Sequence, residues 1–109
     1  MDRVKYRNDG KFIGSVSQGK ALESGFIRQL GTVERVTQYS TDPMILRRIL
    51  RSIDVGMRVE NIEEHADFWA VFSMEELYAF IDASIRLNVD PVRLCACAVV
   101  AGRVSNIYA

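Results

Sequence analysis

One stretch near the C-terminus, residues 90–104 with the sequence DPVRLCACAVVAGRV, constrains the fold more than any other. Asp90 suits a helix N-cap, where its carboxylate accepts from free first-turn N–H groups, and Pro91 suits the first helical position, where no N–H is needed. From Leu94 to Gly102 there is no polar side chain beyond two thiols. A helix that is apolar all round belongs inside protein rather than at a surface. Since a membrane span takes about 20 apolar residues, this run is too short to cross a bilayer. The C-terminal helix is therefore expected to be central and buried, covered by the rest of the chain or by a second copy of it.

The 109 residues are expected to form one domain, 1–109, and a hydrophobic content of 49% with 26% charged residues is that of a folded protein. Cys95 and Cys97 stand about 200° apart on a helix and cannot bridge each other, which leaves two thiols and a cytoplasmic setting as the expectation. No leader pattern or 18-residue apolar run argues against that setting. A C-x-C pair with one distant histidine, His65, falls short of four zinc ligands, so no metal or other cofactor is expected.

The formal net charge of +0 conceals a division along the chain. Through Arg58 there are eleven Lys and Arg against six Asp and Glu, a balance of +5; from Val59 onward there are three against eight, a balance of −5. The two halves can neutralise each other across the fold, or each can meet its own partner.

Residues 4–16 read as a hairpin, because Asn8-Asp9-Gly10 stands between strand-like runs and Gly takes the positive φ of a tight turn. A helix is expected over 20–30, capped at Ser17, with Leu22, Phe26 and Leu30 at four-residue spacing and Gly31 to end it. Residues 32–40 are rich in β-branched side chains and read as a strand. Asp42-Pro43 opens an amphipathic helix over 43–54, with Ile45, Leu46, Ile49, Leu50 and Ile53 inward and Gly56 as terminator. Residues 57–62 and 67–72 read as a second hairpin around Glu63-Glu64-His65-Ala66, the segment DFWAVF being aromatic and β-branched. Ser73-Met74-Glu75-Glu76 has the capping-box pattern, and Leu77, Phe80, Ile81, Ser84 and Ile85 form the stripe of the helix it starts. The order implies an α+β fold: two β-hairpins and about four helices.

Three surfaces are candidates for function. Residues 60–82 hold seven carboxylates and no Lys or Arg, interleaved with Phe68, Trp69, Phe72, Tyr78 and Phe80. An acidic surface edged by an aromatic suits docking of a protein with a basic surface, since charge speeds encounter and aromatics anchor the complex. Glu60, Glu63, Glu64, Asp67 and Trp69 are the expected contacts. Arg47, Arg48 and Arg51 share the outer face of their helix and form the alternative, a nucleic-acid contact through bidentate phosphate binding. Cys95, Ala98 and Gly102 line up small residues where a second backbone can approach, which makes them the expected homodimer face.

A helix-turn-helix reading of the last two helices fails on chemistry, because the second offers bases and phosphates little beyond Arg93 and Arg103. Support for catalysis is thin: no nucleophile elbow, phosphate loop or ligand spacing occurs, and His65 beside Glu63, Glu64 and Asp67 is the single acid–base cluster. The sequence therefore favours a non-enzymatic interaction module, an adaptor, inhibitor or regulatory subunit. A nucleic-acid-binding regulator comes second and an enzyme third.

Overall fold

The computed structural model describes residues 3–8, 11–17, 19–20, 34–37, 42–87 and 89–108. It is α+β, and a three-stranded sheet in the order β2-β1-β3 occupies one end. Strands β1 (Arg3–Asn8) and β2 (Lys11–Ser17) form the expected antiparallel hairpin, and β3 (Glu34–Thr37) lies parallel to β1 on its other side. Asp9 and Gly10 lie outside the described residues, as does the expected helix over 20–30 beyond Lys20, whose amide meets the Ser17 hydroxyl at 3.4 Å.

The hairpin register pairs Val4 with Val16 and Tyr6 with Gly14, then slips so that Arg7 pairs with Phe12. The extra residue, Ile13, joins Val4, Tyr6 and Val16 in the core, while Phe12 moves to the outer face and is 53% exposed. Such a bulge turns the side chains that follow it to the other face of the sheet. Gly14 has a packing reason as well. A Cβ there would meet Leu50 Cδ1 at 3.0 Å, so its absence lets the following helix lie close against the sheet.

That helix, α1 (Pro43–Asp54), begins as expected, with Asp42 Oδ1 accepting from the Met44 amide at 2.9 Å and Pro43 in the first turn. It ends in a Schellman arrangement: the Met57 amide donates to Ser52 O and the Gly56 amide to Ile53 O, both at 3.0 Å, with Gly56 at φ 69°. Asp54 fastens its last turn to the sheet by accepting from the Ser17 amide at 3.0 Å and from Arg3 at 3.1 Å.

The expected second hairpin is absent. Val59–His65 is a 3-10 helix and α2 (Ala66–Ala70) follows it directly. Glu, Asn, Ala and Asp between the apolar residues disfavour strand, and Ile62, Trp69 and Phe72 recur near helical multiples. Asn61 secures the start, accepting from the Arg58 amide at 2.8 Å and donating to Gly56 O at 3.1 Å. Helix α3 (Met74–Leu87) carries both halves of the expected capping box: Ser73 Oγ accepts from the Glu76 amide at 3.1 Å, and Glu76 Oε1 accepts from the Ser73 amide at 3.0 Å.

Helix α4 (Asp90–Tyr108) starts where expected but is not buried all round. Val92, Cys95 and Ala96 enter the core and Val99 and Val100 are half-buried, whereas Leu94 is 48% and Val104 37% exposed. The expectation of a central buried helix is corrected accordingly: α4 packs one face on α3 and the 3-10 helix and turns the other outward. One hydrophobic cluster joins the sheet residues Val4 and Tyr6, through Leu46 and Ile49 of α1, to Trp69, Phe72, Phe80, Val92 and Cys95.

Candidate functional site

Helical structure over residues 59–70 changes what the acidic segment presents. Glu60, Glu63, Glu64 and Asp67 run along the 3-10 helix and into the first turn of α2, and all four are exposed. None of the four makes an ion pair among the described residues. Val71, which continues the helical backbone just after α2, follows Asp67 by four residues and is 66% exposed, an apolar end to the carboxylate stripe. It escaped the sequence reading because DFWAVF read as a strand. Four-residue spacing from Asp67 was the signal that could have found it.

Trp69 does not belong to this surface, and its expected role as a partner contact is corrected. It is 3% exposed and packs edge-on to Phe68 and Phe80, with ring centroids 4.9 and 5.3 Å away, and beside Phe72 at 5.4 Å. The aromatics of the segment are largely core; Tyr78 alone among them is mostly outside. Glu76, too, is committed elsewhere. Its second carboxylate oxygen takes Arg48 at 2.9 Å, and the Ser73 amide, followed by the Arg48 guanidinium, holds its carboxyl below the usual carboxylate range.

The arginine trio divides. Arg47 and Arg51 remain exposed, but Arg48 turns inward to Glu76 and lies over the Phe72 ring at 4.5 Å. Its guanidinium is thereby engaged on one edge and on its face, whereas Arg47 and Arg51 are open to solvent. Basic side chains also share a surface on β1, where Arg3, Lys5 and Arg7 alternate with the buried Val4 and Tyr6. Phe12 stands beside Arg7 in the register. Arg3 is bonded to Asp54 and to Ser15, and Lys5 is exposed.

Among the described residues, Arg48–Glu76 is the ion pair that joins the basic half to the acidic half. Arg3–Asp54 lies within the first, and Asp82–Arg86 and Asp90–Arg93 lie within the second. Among the described residues the two halves thus meet in the Arg48–Glu76 ion pair, while Lys5 stays exposed on the sheet and Glu60, Glu63, Glu64 and Asp67 stay exposed on the helical segment.

Of the expected dimer face, Cys95 is fully buried and belongs to the core, which corrects its assignment. Burial, and then the nearby Glu60 carboxylate, push its thiol up to about 11. Ala98 is half-buried, and Gly102 is open, with no neighbour beyond its own helix backbone within 4 Å of where a Cβ would stand. His65 sits half-buried where the 3-10 helix meets α2, and among the described residues no three His, Cys, Asp or Glu side chains are grouped to hold a metal ion. No described helix is long and apolar enough to cross a membrane.

No protein-family model matches this chain, and no curated protein is significantly similar to it.

Proposed function

We propose that the protein is a small non-enzymatic interaction module, an adaptor, inhibitor or regulatory subunit, that docks a protein partner of basic surface through Glu60, Glu63, Glu64, Asp67 and Val71. The observation that carries this reading is four exposed carboxylates along the 3-10 helix and the start of α2, none of which makes an ion pair among the described residues. Fields from such a cluster raise the encounter rate with a basic surface, and an exposed aliphatic side chain at its end supplies area to desolvate. The module acts as a homodimer, in a cytoplasmic setting that suits its two free thiols. The test is comparative capture by immobilised parent protein and a Glu63→Lys, Glu64→Lys variant. A basic partner should be held by the parent, released by moderate salt, and lost by the variant at an unchanged melting temperature. Equal retention by both, or a variant that melts well below the parent, refutes the docking role.

A second reading has one observation in its favour, the placing of Phe12 beside Arg7 and near Lys5 on the outer face of the sheet. An exposed ring among cations is a platform on which a base of single-stranded nucleic acid stacks while phosphates are neutralised. Salt-dependent binding of a single-stranded oligonucleotide, weakened by both Phe12→Ala and Lys5→Glu, is its test. Binding indifferent to Phe12→Ala rules it out.

A further inference from the structure

The open face of α4 has an order of its own. Leu94, Cys97, Ala101 and Val104 follow one another at spacings of three, four and three, the a and d rhythm by which helices pair, and all four are exposed. Helix α3 adds Tyr78 and Ile85, 55% and 58% exposed. On α3, Glu76 marks the flank turned to α1, because it takes Arg48 from that helix. Tyr78 and Ile85 stand about 160–180° around the helix from Glu76, and α3 packs on α1 and on α4. They therefore stand on the flank of α3 turned away from α1, and both are open to solvent there.

We propose that this outer hairpin face, Tyr78 and Ile85 with Leu94, Cys97, Ala101 and Val104, is where a second copy of the chain docks. Two properties single out a second copy as the occupant. The first is charge. From Leu94 to Gly102 α4 carries none, and at its rim Asp82 pairs with Arg86 at 3.2 Å and Asp90 with Arg93 at 3.4 Å, which leaves the exposed Glu75, one turn before Tyr78, outside these pairs. The α4 part of the face offers little to a polyanion or to a basic protein and does not repel its own image. The acidic stripe and the basic sheet end, by contrast, each repel theirs. The second is size. Helices of 19 and 14 residues packed side by side make a face roughly 25 Å long and 20 Å wide. With side-chain relief that is of the order of the ~800 Å² per partner that a specific interface buries. Two hairpins set face to face about a two-fold axis form a four-helix layer, in which the small Cys97 and Ala101 at the centre let the α4 backbones come close.

This inference rests on the homodimer reading and is independent of the acidic stripe. Its test is light scattering at micromolar concentration, with Cys97 alkylation as a second measurement. The parent should have twice the 12.3 kDa chain mass. Leu94→Glu and Ala101→Glu, both at positions open to solvent in the single chain, should each halve the mass while keeping the parental circular dichroism. Cys97 should react slowly with a maleimide in the concentrated parent and several-fold faster on dilution, with Cys95 silent in its buried site; this measurement decides even where a variant fails to fold. A parent that is monomeric overturns both the interface and the homodimer. A dimer that survives both substitutions, with Cys97 labelled at the rate of a free thiol, overturns this interface and leaves the homodimer in place.

Discussion

Replacing Arg103 with Met should destabilise the protein by about 2 kcal/mol, although the side chain lies far from the segment it supports in sequence. The α2 helix is five residues long and ends without a glycine cap, so its last carbonyls need partners from elsewhere. Arg103 reaches across from α4 and donates from Nη1 to Phe72 O at 2.6 Å and from Nη2 to Trp69 O at 3.0 Å. Each charge-assisted bond contributes about 1.5–3 kcal/mol when fully formed. Met keeps the aliphatic stem, and water can reach part of this half-buried site, which places the net loss below the sum of the two and near that of a single such bond. In a chain of this length a loss of ~2 kcal/mol lowers the melting temperature by roughly 8–12 °C. Lys in place of Arg keeps the charge but not the planar fork, and should recover about half of the loss. Urea denaturation followed by fluorescence of Trp69, the single tryptophan, reads the event where it occurs. A Met variant within about 0.5 kcal/mol of the parent would refute the reasoning, because water would then be shown to satisfy those carbonyls equally well.

Other consequences can be checked in the same way. Ser73→Ala removes the hydroxyl that receives the Glu76 amide and should cost about 1 kcal/mol in urea titrations with the fold intact; an unchanged midpoint contradicts the cap. Burial raises the Asp54 carboxyl, but the Ser17 amide and the Arg3 guanidinium outweigh it and hold the pKa below its ordinary 3.8. The Asp54 contribution to stability is thus fully present above about pH 4 and is lost as pH falls through the depressed value. The gap between parent and Asp54→Asn in denaturant midpoint should be constant near neutrality and close below pH 4; a gap that widens in acid reverses the sign. Trp69→Ala should lower stability by about 3–5 kcal/mol as a core deletion. A variant that stays as stable as the parent and loses only partner binding would restore Trp69 to the surface.

Features decided by neighbours a few residues apart were legible in the sequence. Asp42-Pro43, the Gly56 stop, the Ser73–Glu76 box and Asp90-Pro91 each satisfy or dispense with backbone groups within one turn, so their residue types carry the signal unaided. The α+β class followed from those helices and the first hairpin. Residues 57–72 did not yield, since a short run such as DFWAVF is compatible with strand and helix alike until its neighbours are known. Folding it as helix sent Trp69 inward to Phe80 and left Glu60, Glu63, Glu64 and Asp67 exposed along the 3-10 helix and the start of α2, so the carboxylates stayed at the surface where the aromatic did not. The arginine face was legible as a face, but Arg48 was claimed by Glu76, 28 residues on. For α4, composition could state that every side is apolar. Which side meets the chain and which is left open depends on where α3 and the 3-10 helix end up, and that is a property of packing at long range, which no pattern within the helix encodes.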